Sequence, residues 1–259
     1  MNNEAVQTQV SSTVQKLFGN EFAGIQSKTN DYARSGRFSE GRKYIDNECR
    51  KLREEISSAV TGKGRNAVIS QLETRQEGLL SDLSSAHLRI CRSNFDNRRS
   101  ANGDISETIS ELSGFLSVWF DSSEENTVSR VISYLRAIQN GVSGYFTITS
   151  GYFPNIPRSF DTPDIRVTAS GAVSISTPVI DNQERSSFGY GASLTWRPNM
   201  SPINIRAYEV DTVGSDAEVL NVTIYASGWN GIRNLDGTYR SNGNSISVSF
   251  IASVPSCPW

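Results

Sequence analysis

The chain has 259 residues, with 25 Lys+Arg against 27 Asp+Glu, a single histidine and three cysteines. So even a balance supplies no basic field for nucleic acid. Three scattered cysteines, Cys49, Cys91 and Cys257, are too few for a disulfide framework or a zinc site.

Composition divides the polypeptide. All eight prolines lie between Pro154 and Pro258, and all five lysines between Lys16 and Lys63. Residues 1–140 hold 18 Lys+Arg and 18 Asp+Glu, whereas residues 141–259 hold 7 Arg, no Lys and 9 acids. The first part is charge-rich and periodic at helical spacing. The second consists of short β-branched and aromatic runs separated by Gly, Pro, Ser and Thr. These features predict an α+β two-domain protein: an antiparallel helical bundle over 1–140, then an antiparallel β-sandwich of Greek-key or jelly-roll type over 141–259. The start, Met1-Asn-Asn-Glu-Ala-Val-Gln7, shows neither a basic region nor an apolar core, so no secretory signal is read from it. With no transmembrane stretch, the expectation is a soluble protein, cytoplasmic in its producer or released without a classical signal.

The first helix carries Val6, Val10, Val14, Leu17, Phe18, Phe22 and Ile25 at steps of three and four. Gly19 and Gly24 interrupt it, each costing about 1 kcal/mol relative to Ala. Either that helix must bend or rearrange, or the glycines admit a close neighbour or mark a helix boundary placed elsewhere. Ser35-Gly36-Arg37 breaks the pattern, with Ser39 a candidate cap. A second seam follows at Ile45, Cys49, Leu52, Ile56 and Ala59. The third reads Ile69, Leu72, Gln76, Leu79, Leu83, Ala86, Ile90, in a helix of about 34 residues spanning roughly 50 Å. Gln76 within that heptad also suits an oligomeric seam. Asp104 caps a fourth helix, with Glu107 at the capping-box position, and Ile105, Ile109, Leu112, Leu116 and Trp119 form its seam. Gly114–Phe120 is the most apolar stretch of the bundle. Phe115, Trp119 and Phe120 are either core or a lipid-seeking surface. Asp121–Glu125 interrupts, and Val128, Val131, Leu135 and Ile138 mark a fifth segment.

From Gly144 the spacing changes to two. Strands are predicted at 145–148, 165–168, 173–175, 194–196, 203–208, 219–225 and 246–250, with turns at Ser170-Gly171, Asp236-Gly237 and Asn242-Gly243. No amphipathic helix intervenes, which excludes parallel βαβ units. Three loops, 152–160, 182–190 and 228–240, concentrate aromatics beside Asn, Asp and Arg. Trp229, Arg233 and Tyr239, with Tyr152 and Phe153 as a second loop, are the candidate recognition surface, since rings stack on a ligand while polar groups orient it. The same rings would alternatively cover the ends of the sandwich.

No Walker loop, dinucleotide fingerprint or metal-spaced cluster is present, and His87 sits at an ordinary amphipathic position. No catalytic residue, cofactor or metal is expected. The module order is loosely similar to that of bundle-plus-sandwich insecticidal toxins. That resemblance implies a non-enzymatic toxin-like protein whose β domain binds a cell-surface protein or glycan and whose bundle rearranges at a membrane. The alternative is a viral or phage attachment protein, with a helical homo-oligomeric base beneath a β head.

Overall fold

The computed structural model describes residues 12, 17–156, 164–180, 185–210 and 215–259. Five α-helices come first: α1 (Phe22–Arg34), preceded by a π-helical turn at Leu17–Glu21, then α2 (Phe38–Ala59), α3 (Lys63–Ser100), α4 (Ile105–Val118) and α5 (Glu125–Asn140). Eight strands follow: β1 (Val142–Tyr152), β2 (Ile165–Gly171), β3 (Ile175–Ser176), β4 (Arg185–Trp196), β5 (Ile203–Glu209), β6 (Ala217–Ile224), β7 (Gly237–Ser241) and β8 (Asn244–Ala252). The architecture is a helical bundle followed by a sandwich of two antiparallel sheets, as composition and periodicity predict. The seam positions Val6, Val10 and Val14 lie outside the described residues, as do parts of two predicted loops at 157–163 and 181–184.

The chain forms two compact units: Met1–Asp96 with Ser110–Ser129, and Asn97–Ile109 with Arg130–Trp259. In the first, Phe22 and Ile25, then Ile45, Cys49, Leu52 and Ile56, then Leu72, Leu79 and Leu83, then Leu112 and Phe115 are all buried. Beyond Leu83 the seam of α3 departs from expectation. Cys91 and Phe95 are buried while Ile90 is exposed, because a straight helix of 3.6 residues per turn drifts off a strict seven-residue repeat. Gln76 Nε2 donates to Asp46 Oδ1 at 3.0 Å, which satisfies this polar seam residue within the chain. Gly41 marks a true close approach, since a methyl group there would overlap Leu83 and Tyr32 at 2.9 Å. Among the described residues, a Cβ at Gly19 or Gly24 would meet nothing within 4 Å, and Gly19 lies in the π-helical turn ahead of α1. Cys49 and Cys91 are both buried.

In the second unit, Asp104 caps α4 as expected, its Oδ1 accepting from the Ser106 amide at 2.7 Å. Glu107 turns instead to Arg98, 3.5 Å away. The sheets have strand orders β4-β1-β8-β7 and β3-β2-β5-β6. Their inner faces bury Phe146, Ile148, Leu194, Trp196, Ile246 and Val248 on one side, and Ile165, Val167, Ile203, Ile205 and Ile224 on the other. Trp196 Nε1 donates to the Ala226 carbonyl at 2.7 Å, so the largest ring of this core has its polar atom satisfied. Asn244, also buried, accepts from the Asn155 amide and donates to the Val219 carbonyl. Strand β7, absent from the sequence reading, is a short edge strand joined to β8 through Asn242 and Gly243, both with positive φ. Tyr239 and Arg240 therefore lie on a strand rather than in a loop.

Candidate functional site

Alternation fixes what each strand of the β4-β1-β8-β7 sheet turns outward. Phe146 and Ile148 of β1 point into the core, so Ser143, Tyr145 and Thr147 take the opposite face. Continued strictly, that parity would bring Thr149 and Gly151 outward. A bulge between Ile148 and Ser150 shifts the register instead, and Ser150 and Tyr152 join the outer face.

The pairing then assembles rows across the sheet. Arg185, Tyr152, Ser245 and Arg240 form the first, one residue from each strand. Ser187, Ser150, Ser247 and Thr238 form the second, which consists entirely of hydroxyl side chains. Gly191, Thr147 and Ser249 follow, then Ser193, Tyr145 and Ile251, and finally Thr195 beside Ser143. Hydroxyls meet across strands, with Thr238 and Ser247 at 2.8 Å and Ser143 and Thr195 at 3.1 Å. Each hydroxyl of such a pair keeps further acceptor capacity.

Two rings stand on this face. Tyr145 is 49 % exposed, and its hydroxyl donates to the Gly191 carbonyl at 2.9 Å. A methyl group at Gly191 would overlap the Tyr145 ring at 2.6 Å, so the missing side chain makes room for the ring over its neighbour. Tyr152 is 39 % exposed and lies beneath the Arg185 guanidinium, 4.9 Å from its ring centre. Ile251, opposite Tyr145, is 74 % exposed. The rows carry two cations and no carboxylate.

The outer face of the other sheet differs. There Arg166 binds Asp216 at 2.5 Å, Arg206 faces Glu218 at 3.6 Å, and Thr223 donates to Asn204 at 2.9 Å. Each of those two arginines faces a carboxylate. The rows of the β4-β1-β8-β7 sheet instead place Arg185 and Arg240 beside hydroxyls with no carboxylate among them.

Sequence reasoning found only Tyr152 of this arrangement. Trp229 is 7 % exposed and Phe153 is fully buried, so neither presents a ring to a ligand, and both expectations are corrected. Phe153 packs edge-on against Phe188. Arg233 is exposed within a 3-10 turn, Gly231–Leu235. Tyr239 is half-buried, donates to the Asn234 carbonyl, and has its phenol pKa raised by burial and then by Asp236. Phe115 and Trp119 are core residues, at odds with a lipid-seeking surface, whereas Phe120 is 64 % exposed beneath Arg42. Gly19 and Gly24 are exposed. A recess of about 390 Å³ lined by Asn102, Asp104, Ser106, Gln139 and Asn199 has its polar groups engaged locally. There Asp104 caps α4, Gln139 donates to Ser106, and Asn102 accepts from Asn230.

No family model and no curated protein matches the chain. Among solved structures, human GIVD cytosolic phospholipase A2 is similar at 11 % identity and a TM-score of 0.36; the match covers 45 % of this chain and 17 % of that one. A chain described as BON1-C2B is 13 % identical with a TM-score of 0.33, over 45 % of this chain and 95 % of that one. A structure described as "CC2D1B coordinates ESRCT-III activity during the mitotic reformation of the nuclear envelope" is 11 % identical with a TM-score of 0.35, over 70 % of this chain and 88 % of that one. At TM-scores below 0.5 these likenesses carry no argument about activity or ligand.

Proposed function

We propose that this is a non-enzymatic, toxin-like protein whose sandwich binds an acidic glycan on a cell surface through the outer face of the β4-β1-β8-β7 sheet. The row Arg185, Tyr152, Ser245, Arg240, set beside a row made wholly of hydroxyls, carries the reading. A pyranose ring stacks on an exposed tyrosine, its hydroxyls exchange hydrogen bonds with Ser and Thr, and its carboxylate or sulfate pairs with a guanidinium. A neutral polymer would use the same hydroxyls and leave the two cations unanswered.

The bundle supplies the membrane step. Among the described residues no helix is long and apolar enough to cross a membrane, so this step requires rearrangement rather than insertion of a ready-made span. Helices α1 and α2 belong wholly to the first unit, whereas α3, α4 and α5 are each divided between the two. With Gly19 and Gly24 softening its entry, α1 is the element free to move first.

The test is binding of the intact protein to arrayed carboxylated, sulfated and neutral glycans. Acidic glycans are expected to bind. Arg185→Ala and Tyr152→Ala should each weaken that binding by about tenfold, the effect of losing one charge-assisted hydrogen bond or one stacked ring, without change in melting temperature. Equal affinity for neutral and acidic glycans would remove the role of the arginines. Unaltered binding by both variants would place the site elsewhere. Dye release from vesicles carrying the bound glycan, and its suppression by a cross-link between α1 and α2, tests the membrane step.

A further inference from the structure

His87, the single histidine of the chain, is held in an aromatic cage within the first unit. The Phe38 ring of α2 lies flat on the imidazole, with centroids 4.1 Å apart and planes 5° from parallel. Phe115 of α4 closes another side at 5.1 Å. Trp119, just beyond the end of α4, donates its indole Nε1–H to His87 Nδ1 at 3.0 Å. An indole nitrogen only donates, so Nδ1 must accept, and the imidazole is neutral with its proton on Nε2.

The same junction has a second hook. Arg42 of α2 donates to the Val118 carbonyl and, at 2.8 Å, to Asp121, while its guanidinium lies 5.4 Å from the Trp119 ring. Val118–Asp121 is thus fastened twice, by Arg42 and by the Trp119–His87 hydrogen bond. A recess of about 560 Å³, lined by Arg42, Glu77, Ser84, Trp119, Asp121 and Glu124 among others, opens beside the indole.

We propose that the Trp119–His87 hydrogen bond is a proton-sensitive latch, holding the α4–α5 junction to α3 at neutral pH and releasing it in mild acid. Protonation at Nδ1 converts the acceptor into a donor, so two N–H groups would face each other at 3.0 Å. The groups around the imidazole pull in both directions. The Phe38 and Phe115 faces and Glu111 of α4 favour the cation. Burial prevails and lowers the His87 pKa from 6.5 against the opposing pull of Glu111. A folded-state pKa below the unfolded one sets the sign. The latch contributes its full stability above about pH 6.5, and loses it progressively as the pH falls through the folded value. This device is independent of glycan recognition.

Magnetic resonance of the intact protein from pH 7.5 to 4.5 tests the proposal without a variant, because the ring resonances of the lone histidine need no assignment. His87 should titrate with a midpoint below 6.5, and one indole N–H, identified as Trp119 by its loss in Trp119→Phe, should move with the same midpoint. Solvent exchange of that N–H should accelerate at least tenfold. His87→Gln, which offers an acceptor that does not titrate, should leave the indole signal level across the range. A Trp119 indole that stays protected while His87 titrates would overturn the latch, as would a His87 that remains neutral at pH 4.5.

Discussion

Trp229 and Tyr152 show what a local pattern conveys about a single side chain. Both stand among turn-forming residues, and both read as rings offered to solvent. Tyr152 is so offered, because the bulge at Ile148–Ser150 turns it outward. Trp229 is buried because the chain folds tightly around it. Gly231 lies so close to the Ala226 backbone that any side chain there would collide, and the 3-10 turn Gly231–Leu235 follows at once. Nothing in Gly228-Trp-Asn-Gly231 distinguishes a ring tucked beneath such a turn from one displayed on it. Trp229→Ala should therefore cost about 3–5 kcal/mol, as for a large core aromatic, read by chemical denaturation. Glycan binding per folded molecule should be unaltered. A loss below about 0.5 kcal/mol, the scale of surface changes, would contradict the burial.

Among the elements, helices were the more readable because their contacts lie within the pattern itself. Steps of three and four identify which side of α2 or α3 is buried, and caps such as Asp104 mark the ends. Strands β1, β4 and β8 announce themselves by alternation, yet their meaning depends on partners as much as 108 residues away, as Gly144 pairs with Ala252, a separation the local pattern does not encode. Alternation alone says neither which face is solvated nor which residues share a row. Arg185 and Arg240, 55 positions apart in the chain, meet only through that pairing. Two substitutions separate packing from mobility in the helices. Leu83→Ala should destabilise the bundle by about 2–5 kcal/mol, since Leu83 is 1 % exposed. Gly24→Ala, placed where a methyl group meets nothing among the described residues, should stabilise it by about 0.5–1 kcal/mol and slow vesicle leakage. Both shifts are measurable by thermal melting, and a destabilising Gly24→Ala would show that α1 needs its glycine for packing.

For the molecule as a whole, the change of composition near Asn140 and the division into compact units do not coincide. The chain passes between the units after Asp96, after Ile109 and after Ser129, so α3, α4 and α5 each contribute to both. Because three helices are shared, heating should give one cooperative transition, with far-ultraviolet helix signal and near-ultraviolet tryptophan signal lost together. Two separated transitions would instead support independent domains meeting near Asn140–Gly144.

This threading bears on descent as well as on melting. A sandwich excised at any one point in the gene would leave behind segments of the helices that complete its unit. Recombination cannot transfer such a unit to another protein in one event. Change in the sandwich is thereby channelled into point substitutions on the exposed rows, where Ser, Thr, Tyr and Arg can be exchanged without disturbing the core behind them.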